Sequence, residues 1–209
     1  MYSGFPKKAI SHLRCPYDRG ALNLVGSDAD HIRTGKLICE DPLNHVFMIR
    51  DGILRLITDS SQLGSIMQSE IKARDTQANQ YDACLEARHD KEVPPTLRAV
   101  GQIEGNKIIE YGCGTGRFTI HLQSASLLLA TDFSIKSLEI LAPKLNSTAE
   151  VGLIQADITS FATAPGVFDV AILAQVIEHI PTSQERQRLY WNIRHTLCLN
   201  GIVVASVYH

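Results

Sequence analysis

Nine consecutive residues, Glu110-Tyr111-Gly112-Cys113-Gly114-Thr115-Gly116-Arg117-Phe118, place three glycines at alternate positions behind a carboxylate. Glycine tolerates positive φ and carries no Cβ, so such a turn lets a ligand come close to the main chain. Two further acids follow. Asp132 stands 22 residues after Glu110, where a carboxylate can accept hydrogen bonds from both hydroxyls of a ribose; Asp157 lies beyond it, where it can meet an adenine amino group. Taken singly, the glycine turn is a tight strand–helix connection and each acid a solvated loop residue. As an ordered set they point to an adenosine-containing ligand. A nicotinamide dinucleotide, and with it an NAD-dependent oxidoreductase, also needs a glycine turn and a second acid. Its fingerprint places a third glycine where this chain has Arg117, and Gly116 falls one residue early.

These residues need elements to position them. From Gly105 the pattern alternates: strands at 107–111, 127–131, 151–155 and 167–174, and helices at 115–123, 134–145 and 182–197, the last opened by a capping box of Thr182 and Glu185. Gly201 marks the expected end of that helix, and 202–207 reads as a final strand. Apolar, two-sided strands alternating with helices predict a parallel sheet covered on both faces. The first crossover of such a sheet is where nucleotides bind, and the glycine turn sits there.

The first 58 residues have another texture. Short strand-like runs at 22–25, 36–39, 46–49 and 53–57 are broken by glycines, Pro42 and Asp51-Gly52, as in a small β-rich module. About 50 residues bury too little apolar surface to be comfortable alone, so a metal or a partner surface is expected. Between the two regions Leu63, Ile66, Met67, Ile71, Ala78, Tyr81 and Leu85 recur at helical spacing, and Pro94-Pro95 is expected to stop the helix.

Composition bounds the partners. The 209 residues carry 20 Lys plus Arg against 22 Asp plus Glu, a net charge of −2, and neither half has the basic excess that phosphate neutralisation needs. Strong nucleic-acid binding is not expected. No run is long and apolar enough for a membrane span, and no apolar stretch follows the first residues as in a secretory leader. Five scattered cysteines are too few and too irregular for a disulfide framework. The expectation is a reduced, cytoplasmic protein.

Glu110 through Phe118, Thr131-Asp132-Phe133-Ser134, Gln155-Ala156-Asp157-Ile158, and Phe168-Asp169-Val170 with Val176-Ile177-Glu178-His179-Ile180 resemble the ordered motifs of the class I S-adenosylmethionine-dependent methyltransferases. The resemblance implies a Rossmann-like α/β fold with a mostly parallel sheet, over residues 105–209. It also implies methyl transfer by in-line displacement at the sulfonium methyl, with S-adenosylhomocysteine as product. Gly112, Gly114 and Gly116 would pass under the methionine part of the cofactor with Glu110 nearby. Asp132 would hold the ribose, and Asp157 with Ile158 the adenine. Phe133 would flank the adenine ring or pack. Gln175 matches a position whose backbone faces the methionine ammonium. A general base is needed only where the acceptor must lose a proton; His179 and Glu178 are the candidates, with a locally satisfied pair as the alternative. Within a helical linker or lid at 59–104, Ala73-Arg74-Asp75 through Gln80-Tyr81-Asp82 resembles the helix that closes over the cofactor in this group, which would bring Arg74 and Tyr81 to the methionine carboxylate; a plain packing helix is the alternative.

Two motifs of related enzymes are absent. Ala174-Gln175-Val176-Ile177 replaces the Asn/Asp-Pro-Pro-aromatic run of amino-methylating enzymes on DNA or glutamine, and no Pro-Cys pair supplies the thiolate of pyrimidine methylation. By subtraction, a small-molecule acceptor is expected. The family sheet continues past its fifth strand, whereas this chain stops at His209. The implication is a sheet truncated there or an open edge covered by a second copy. A non-enzymatic reading, a cofactor-binding regulatory or adaptor subunit of another methyltransferase, stands beside the catalytic one.

His12 through Asp18, Gly35 through Cys39 and Phe47 through Leu56 resemble a small zinc-ribbon-like domain that activates several methyltransferases or is fused ahead of them. A complete site would show two C-x-x-C pairs. Here Asp18 stands at the second ligand position and Pro42 at the fourth, leaving Cys15 and Cys39 with Asp18, Asp41 and His45 as substitutes. The expectation is a degenerate ribbon that holds no metal and survives by packing, with zinc as the alternative.

Overall fold

The computed structural model describes residues 2–57 and 65–207; within the first long helix the side chains at 65–67, 70, 77 and 79–90 lie outside that description. Seven short strands open the chain: β1 (Phe5–Pro6), β2 (Leu13–Arg14), β3 (Leu22–Val25), β4 (His31–Ile32), β5 (Gly35–Cys39), β6 (Val46–Arg50) and β7 (Ile53–Arg55). Helix α1 (Ser65–Val100) leads to β8 (Lys107–Tyr111), β9 (Leu127–Asp132), α2 (Ile135–Leu141) and β10 (Val151–Gln155). Then come β11 (Ala162–Thr163), β12 (Phe168–Ala174), α3 (Ser183–Thr196) and β13 (Leu197–Ser206).

Nine of these strands share one sheet in the order β13-β12-β8-β9-β10-β7-β6-β5-β3. From β13 to β7 every pair is parallel; from β7 to β3 every pair is antiparallel. The β-rich module therefore adds its own strands to the parallel sheet, with Ile53 of β7 opposite Leu153 of β10. Its shortage of core is met the same way. Phe5, Leu13 and Phe47 lie in one buried cluster with Tyr111, Phe161 and Phe168 on one face of the sheet. On the other face Val93 and Val100 of α1 and Leu138 and Leu141 of α2 pack over Ile108, Leu128 and Leu153. Tyr2 pins the seam: its hydroxyl donates to the carbonyls of Gly52 or Val151 and accepts from the Leu153 amide.

Three expectations are corrected. Helix α1 runs through Pro94-Pro95 to Val100. Each proline removes a backbone donor, but Val93, Thr96 and Val100 stay on one buried face beyond the break, and packing holds the turn together. The stretch 115–123 forms turns and a single 3-10 segment, Thr119–His121, in place of an α-helix. Gly116 has φ 96°, which α-helical geometry cannot contain. Gly201 ends no helix; it lies inside β13, which starts at Leu197. There a Cβ would sit 3.1 Å from the Phe168 carbonyl oxygen, beside a register shift between β12 and β13. Among the helical-face positions, Leu63 and the side chains of Ile66, Met67, Tyr81 and Leu85 lie outside the described residues. The capping box of α3 is present, the Glu185 amide donating to Thr182 Oγ1 at 3.2 Å and Thr182 N to Glu185 Oε2 at 3.2 Å.

Candidate functional site

The carboxyl ends of β8, β9 and β10 lie side by side, and the chain turns sharply after each. After β8 it takes positive φ at Gly112 (72°), Gly114 (53°) and Gly116 (96°). A Cβ at Gly112 would lie 2.5 Å from Val176 Cγ2, and one at Gly116 would run into Leu141 Cδ1. These two glycines are required by close packing as well as by backbone conformation. The Gly112 and Cys113 amides both donate to the Thr131 carbonyl (2.8 and 2.9 Å), folding the turn over the end of β9.

Asp132 joins that turn to its own loop. One carboxylate oxygen accepts from the Gly114 amide at 2.8 Å and the other from the Ser134 amide at 2.8 Å. Burial pushes its carboxyl above the ordinary range, while the two amides and the nearby Arg74 charge pull it back. Each oxygen keeps a lone pair beyond these bonds. Glu110 lies deeper, 2% exposed, accepting from Thr119 Oγ1 at 2.7 Å. Burial pushes it up to about 8, against the opposing effects of Thr119 and the Arg117 charge. Cys113, inside the turn, is buried and its thiol raised well above the ordinary value by burial, so it is poorly suited to serve as a thiolate nucleophile.

Asp157 follows β10 and accepts from the Thr159 amide (2.8 Å) and hydroxyl (2.8 and 3.0 Å). Ile158 is partly buried against the core, and Phe133 is half-buried at the head of α2. After β12, Gln175 takes a left-handed φ of 57°, rare for a residue with a Cβ, while its amide donates to the Ser206 carbonyl at 2.8 Å. Glu178 and His179 stand exposed on the 3-10 segment Ile177–His179. Arg74 of α1 reaches both ring nitrogens of His179 at 3.3 Å, tying α1 to the segment after β12. The structure thus brings Arg74 near both Asp132 and His179, and leaves Glu110 buried. The side chain of Tyr81 lies outside the described residues.

Two contacts were not visible in the sequence. Arg117 pairs with Glu92 of α1, anchoring that helix to the glycine turn. Asp75 of α1 accepts from Ser134 Oγ at 2.5 Å, and Ser134 in turn caps α2 by accepting from the Ser137 amide. The Ser134 cap had a local signature before a helix; Glu92 and Asp75 had none, because their partners lie 25 and 59 residues away.

A second polar cluster lies in the β-rich module. Cys15, Asp18, Cys39 and His45 place one donor atom each within 4.8 Å of one another. Asp18 accepts from Cys39 (3.1 Å), Cys15 (3.4 Å) and His45 Nδ1 (2.8 Å). Burial works against its ionisation, but the Gly20 amide with these side-chain bonds brings it down to about 2. Asp41 is not part of the cluster; its carboxylate accepts from the Leu43 amide.

Residues 108–201 match the family model of the methyltransferase domain, and residues 10–52 match that of Trm112p-like proteins. No curated protein matches the chain in sequence. Among solved structures the chain is similar to DhpI in complex with S-adenosylhomocysteine, with TM-score 0.58 and 23% identity over 66% of this chain and 67% of that one. It is similar to phosphoethanolamine N-methyltransferase 1 of Haemonchus contortus, bound to phosphoethanolamine and S-adenosylhomocysteine, with TM-score 0.58 and 17% identity over 69% of this chain and 33% of that one. It is also similar to the N-methyltransferase NodS of Bradyrhizobium japonicum bound to S-adenosylhomocysteine, with TM-score 0.56 and 18% identity over 68% of this chain and 72% of that one. The fold is the Rossmann-like fold of class I methyltransferases, with a mostly parallel sheet extended by a small, β-rich, zinc-ribbon-like module.

Proposed function

We propose that this protein is an S-adenosylmethionine-dependent methyltransferase acting on a small-molecule acceptor. The observation that carries the reading is the Asp132 carboxylate, held between the Gly114 and Ser134 amides beside a glycine turn of positive φ. Residues so arranged fit an adenosyl ligand. Bound S-adenosylmethionine supplies a methyl group already activated on sulfur.

The chain's own residues then have limited tasks. The amides and carbonyls of Gly112, Gly114 and Gly116 border the methionine part, with the Glu110 carboxyl beneath them. The free lone pairs of Asp132 accept from the ribose hydroxyls. Asp157 and Ile158 border the adenine, with Phe133 against its ring. The left-handed Gln175 turns its backbone toward the ammonium end. Arg74 attracts the carboxylate. Holding donor and acceptor in line and excluding water is most of the catalysis such a transfer asks for. Where the acceptor carries a proton, a ring nitrogen of His179, or Glu178 next to it, takes it up.

Dinucleotide binding has less support, because Arg117 occupies the third glycine position and is tied to Glu92. A regulatory subunit has less support too, since the module's β7 is already paired with β10 of the same chain. Among the described residues no helix is long and apolar enough to cross a membrane. We place the protein in the cytoplasm, and assign the long edge strand β13, where Leu199 is 95% exposed, as the face a second copy would cover.

Calorimetry with S-adenosylmethionine, S-adenosylhomocysteine and NAD tests the reading. Both adenosyl ligands are expected to bind, with weakening in Asp132→Ala. Tight NAD binding, or no nucleotide binding together with a stable complex to another methyltransferase, would overturn it. A methyl-transfer screen over small amines, alcohols and carbon acids then identifies the acceptor.

A further inference from the structure

We propose that Cys15, Asp18, Cys39 and His45 form a mixed-donor zinc centre, closed by residues that replace two of the cysteines a ribbon of this kind would use. This supersedes the expectation of a metal-free ribbon and does not depend on methyl transfer.

The donors come from three separate places: the turn after β2, the end of β5 and the residue before β6. Zinc–sulfur bonds of about 2.3 Å and zinc–nitrogen or zinc–oxygen bonds of about 2.0 Å, set tetrahedrally, put donors roughly 3.3–3.8 Å apart. The structure has Cys15 Sγ at 3.4 Å from Asp18 Oδ2 and 3.5 Å from His45 Nδ1, and Cys39 Sγ at 3.1 and 3.4 Å from the two Asp18 oxygens. Two are tighter, Cys39 Sγ to Asp18 Oδ1 at 3.1 Å and His45 Nδ1 to Asp18 Oδ2 at 2.8 Å, as direct hydrogen bonds are. A small outward movement of one carboxylate oxygen admits the ion.

Three observations outside the donor set support the assignment. First, Gly20 makes room for it: a Cβ there would lie 2.7 Å from Cys39 Sγ and 2.9 Å from Asp18 Oδ1. Second, main-chain amides point at the sulfurs, that of Asp41 at Cys39 (3.5 Å) and those of Tyr17 and Asp18 at Cys15. Amides aimed at sulfur are the outer contacts that orient a metal ligand. Third, both cysteines are buried, 0% and 1% exposed, while the Tyr17 ring lies over the His45 imidazole at 4.7 Å. The sulfurs are thereby shielded and the ring is held in orientation.

On binding, the two thiols each lose a proton to solvent, and the His45 proton shared with Asp18 passes to Nε2, so that the neutral ring coordinates through Nδ1. Two thiolates, one carboxylate and a divalent ion sum to a net charge of −1. Two thiolates with one imidazole and one carboxylate favour zinc over calcium or magnesium, which take oxygen donors. With four protein donors no position is left for water, so the centre is structural.

The test uses the full chain expressed with added zinc and purified without chelator. Elemental analysis is expected to give one zinc per chain, and cobalt replacement a thiolate-to-cobalt charge-transfer band. Cys39→Ser and His45→Ala are expected to weaken zinc binding by at least about tenfold, while Asp41→Asn binds as the unaltered protein does. Circular dichroism identifies any variant that fails to fold, and His45→Cys is expected to restore binding. Zinc well below one per chain in the unaltered protein, or cobalt binding without a thiolate band, overturns the assignment. So does full zinc binding by both Cys39→Ser and His45→Ala.

Discussion

The crevice and the ribbon cluster hold their carboxylates in opposite ways. Asp132 is fixed by main-chain amides of two turns, so its position is set by the backbone whether or not a ligand is bound. Asp18 is fixed mainly by the protons of Cys15, Cys39 and His45, with one amide from Gly20. A metal would displace all three, the two thiol protons to solvent and the imidazole proton to the far ring nitrogen. A site built on the backbone is ready for a neutral or hydrogen-bonding ligand; a site whose members satisfy one another with exchangeable protons is ready for a cation that replaces them.

The contrast is sharpest at the glycines, where the largest effects are expected. Gly116→Val forces a side chain at φ 96° into Leu141, and should cost about 2–4 kcal/mol of stability and abolish adenosyl-ligand binding. Urea unfolding and calorimetry read both losses. Gly20→Ala meets only the tips of Cys39 and Asp18, so the folded chain should lose about 1 kcal/mol or less while its zinc affinity falls. Equal stability losses at the two glycines would remove the distinction.

Next in size is the crevice acid itself. Asp132→Ala removes charged acceptors worth roughly 1.5–3 kcal/mol, and S-adenosylhomocysteine should bind about 10- to 150-fold more weakly by calorimetry. Asp132→Asn keeps one acceptor oxygen and should lose less. A null effect would mean that the ribose is held elsewhere.

Glu110 adds a pH dependence. Its carboxyl ionises near 4.5 in an unfolded chain and near 8 in the folded one, where burial disfavours the charge. Between those values the folded protein keeps a proton that the unfolded chain has lost. Stability is therefore greatest toward the lower end of this window and falls as pH rises through it, by about 1.4 kcal/mol per unit at most. Glu110→Gln should flatten urea midpoints between pH 5.5 and 8. A slope in the variant as steep as in the unaltered protein would assign the effect to other groups.

How much of this was legible follows from the range of the interactions. The strands at 107–111 and 151–155 were readable to the residue because their apolar runs are local, and the places of Asp132 and Asp157 because one ends β9 and the other follows β10 by two residues. The helix after the glycine turn was misread because Gly116 looks the same in sequence whether its φ is negative or 96°. Pro94-Pro95 was misread because local chemistry stops a helix there, while tertiary packing through Val93 and Val100 continues it. The β7–β10 pairing joins residues 100 apart, as Leu153 with Ile53, and no local pattern announces it. In the ribbon the four donor types were readable, but their meeting point depends on three turns closing together.

The smallest expected effect decides whether the two regions act on each other. Arg19, next to Asp18 and held at a left-handed φ of 67°, donates to Asn192 Oδ1 at 3.3 Å. Asn192, 4% exposed, donates to the Thr159 carbonyl at 3.0 Å, and Thr159 in turn holds Asp157 through its amide and hydroxyl. A metal that fixes Asp18 thus fixes the residue beside it, and a buried amide carries that constraint to the loop of Asp157, the residue proposed to meet the adenine. Arg19→Met cuts the path at an exposed side chain without emptying the core. A single bond of this kind is worth about 0.5–1.5 kcal/mol, shared along the path. We therefore expect S-adenosylhomocysteine to bind two- to threefold more weakly in Arg19→Met when zinc is present, and removing zinc from the unaltered protein to weaken it by a similar factor. In Arg19→Met, removing zinc should then change affinity little, because the path is already cut. If both losses appear at full size in the variant, crevice and ribbon are separate devices that share only a sheet.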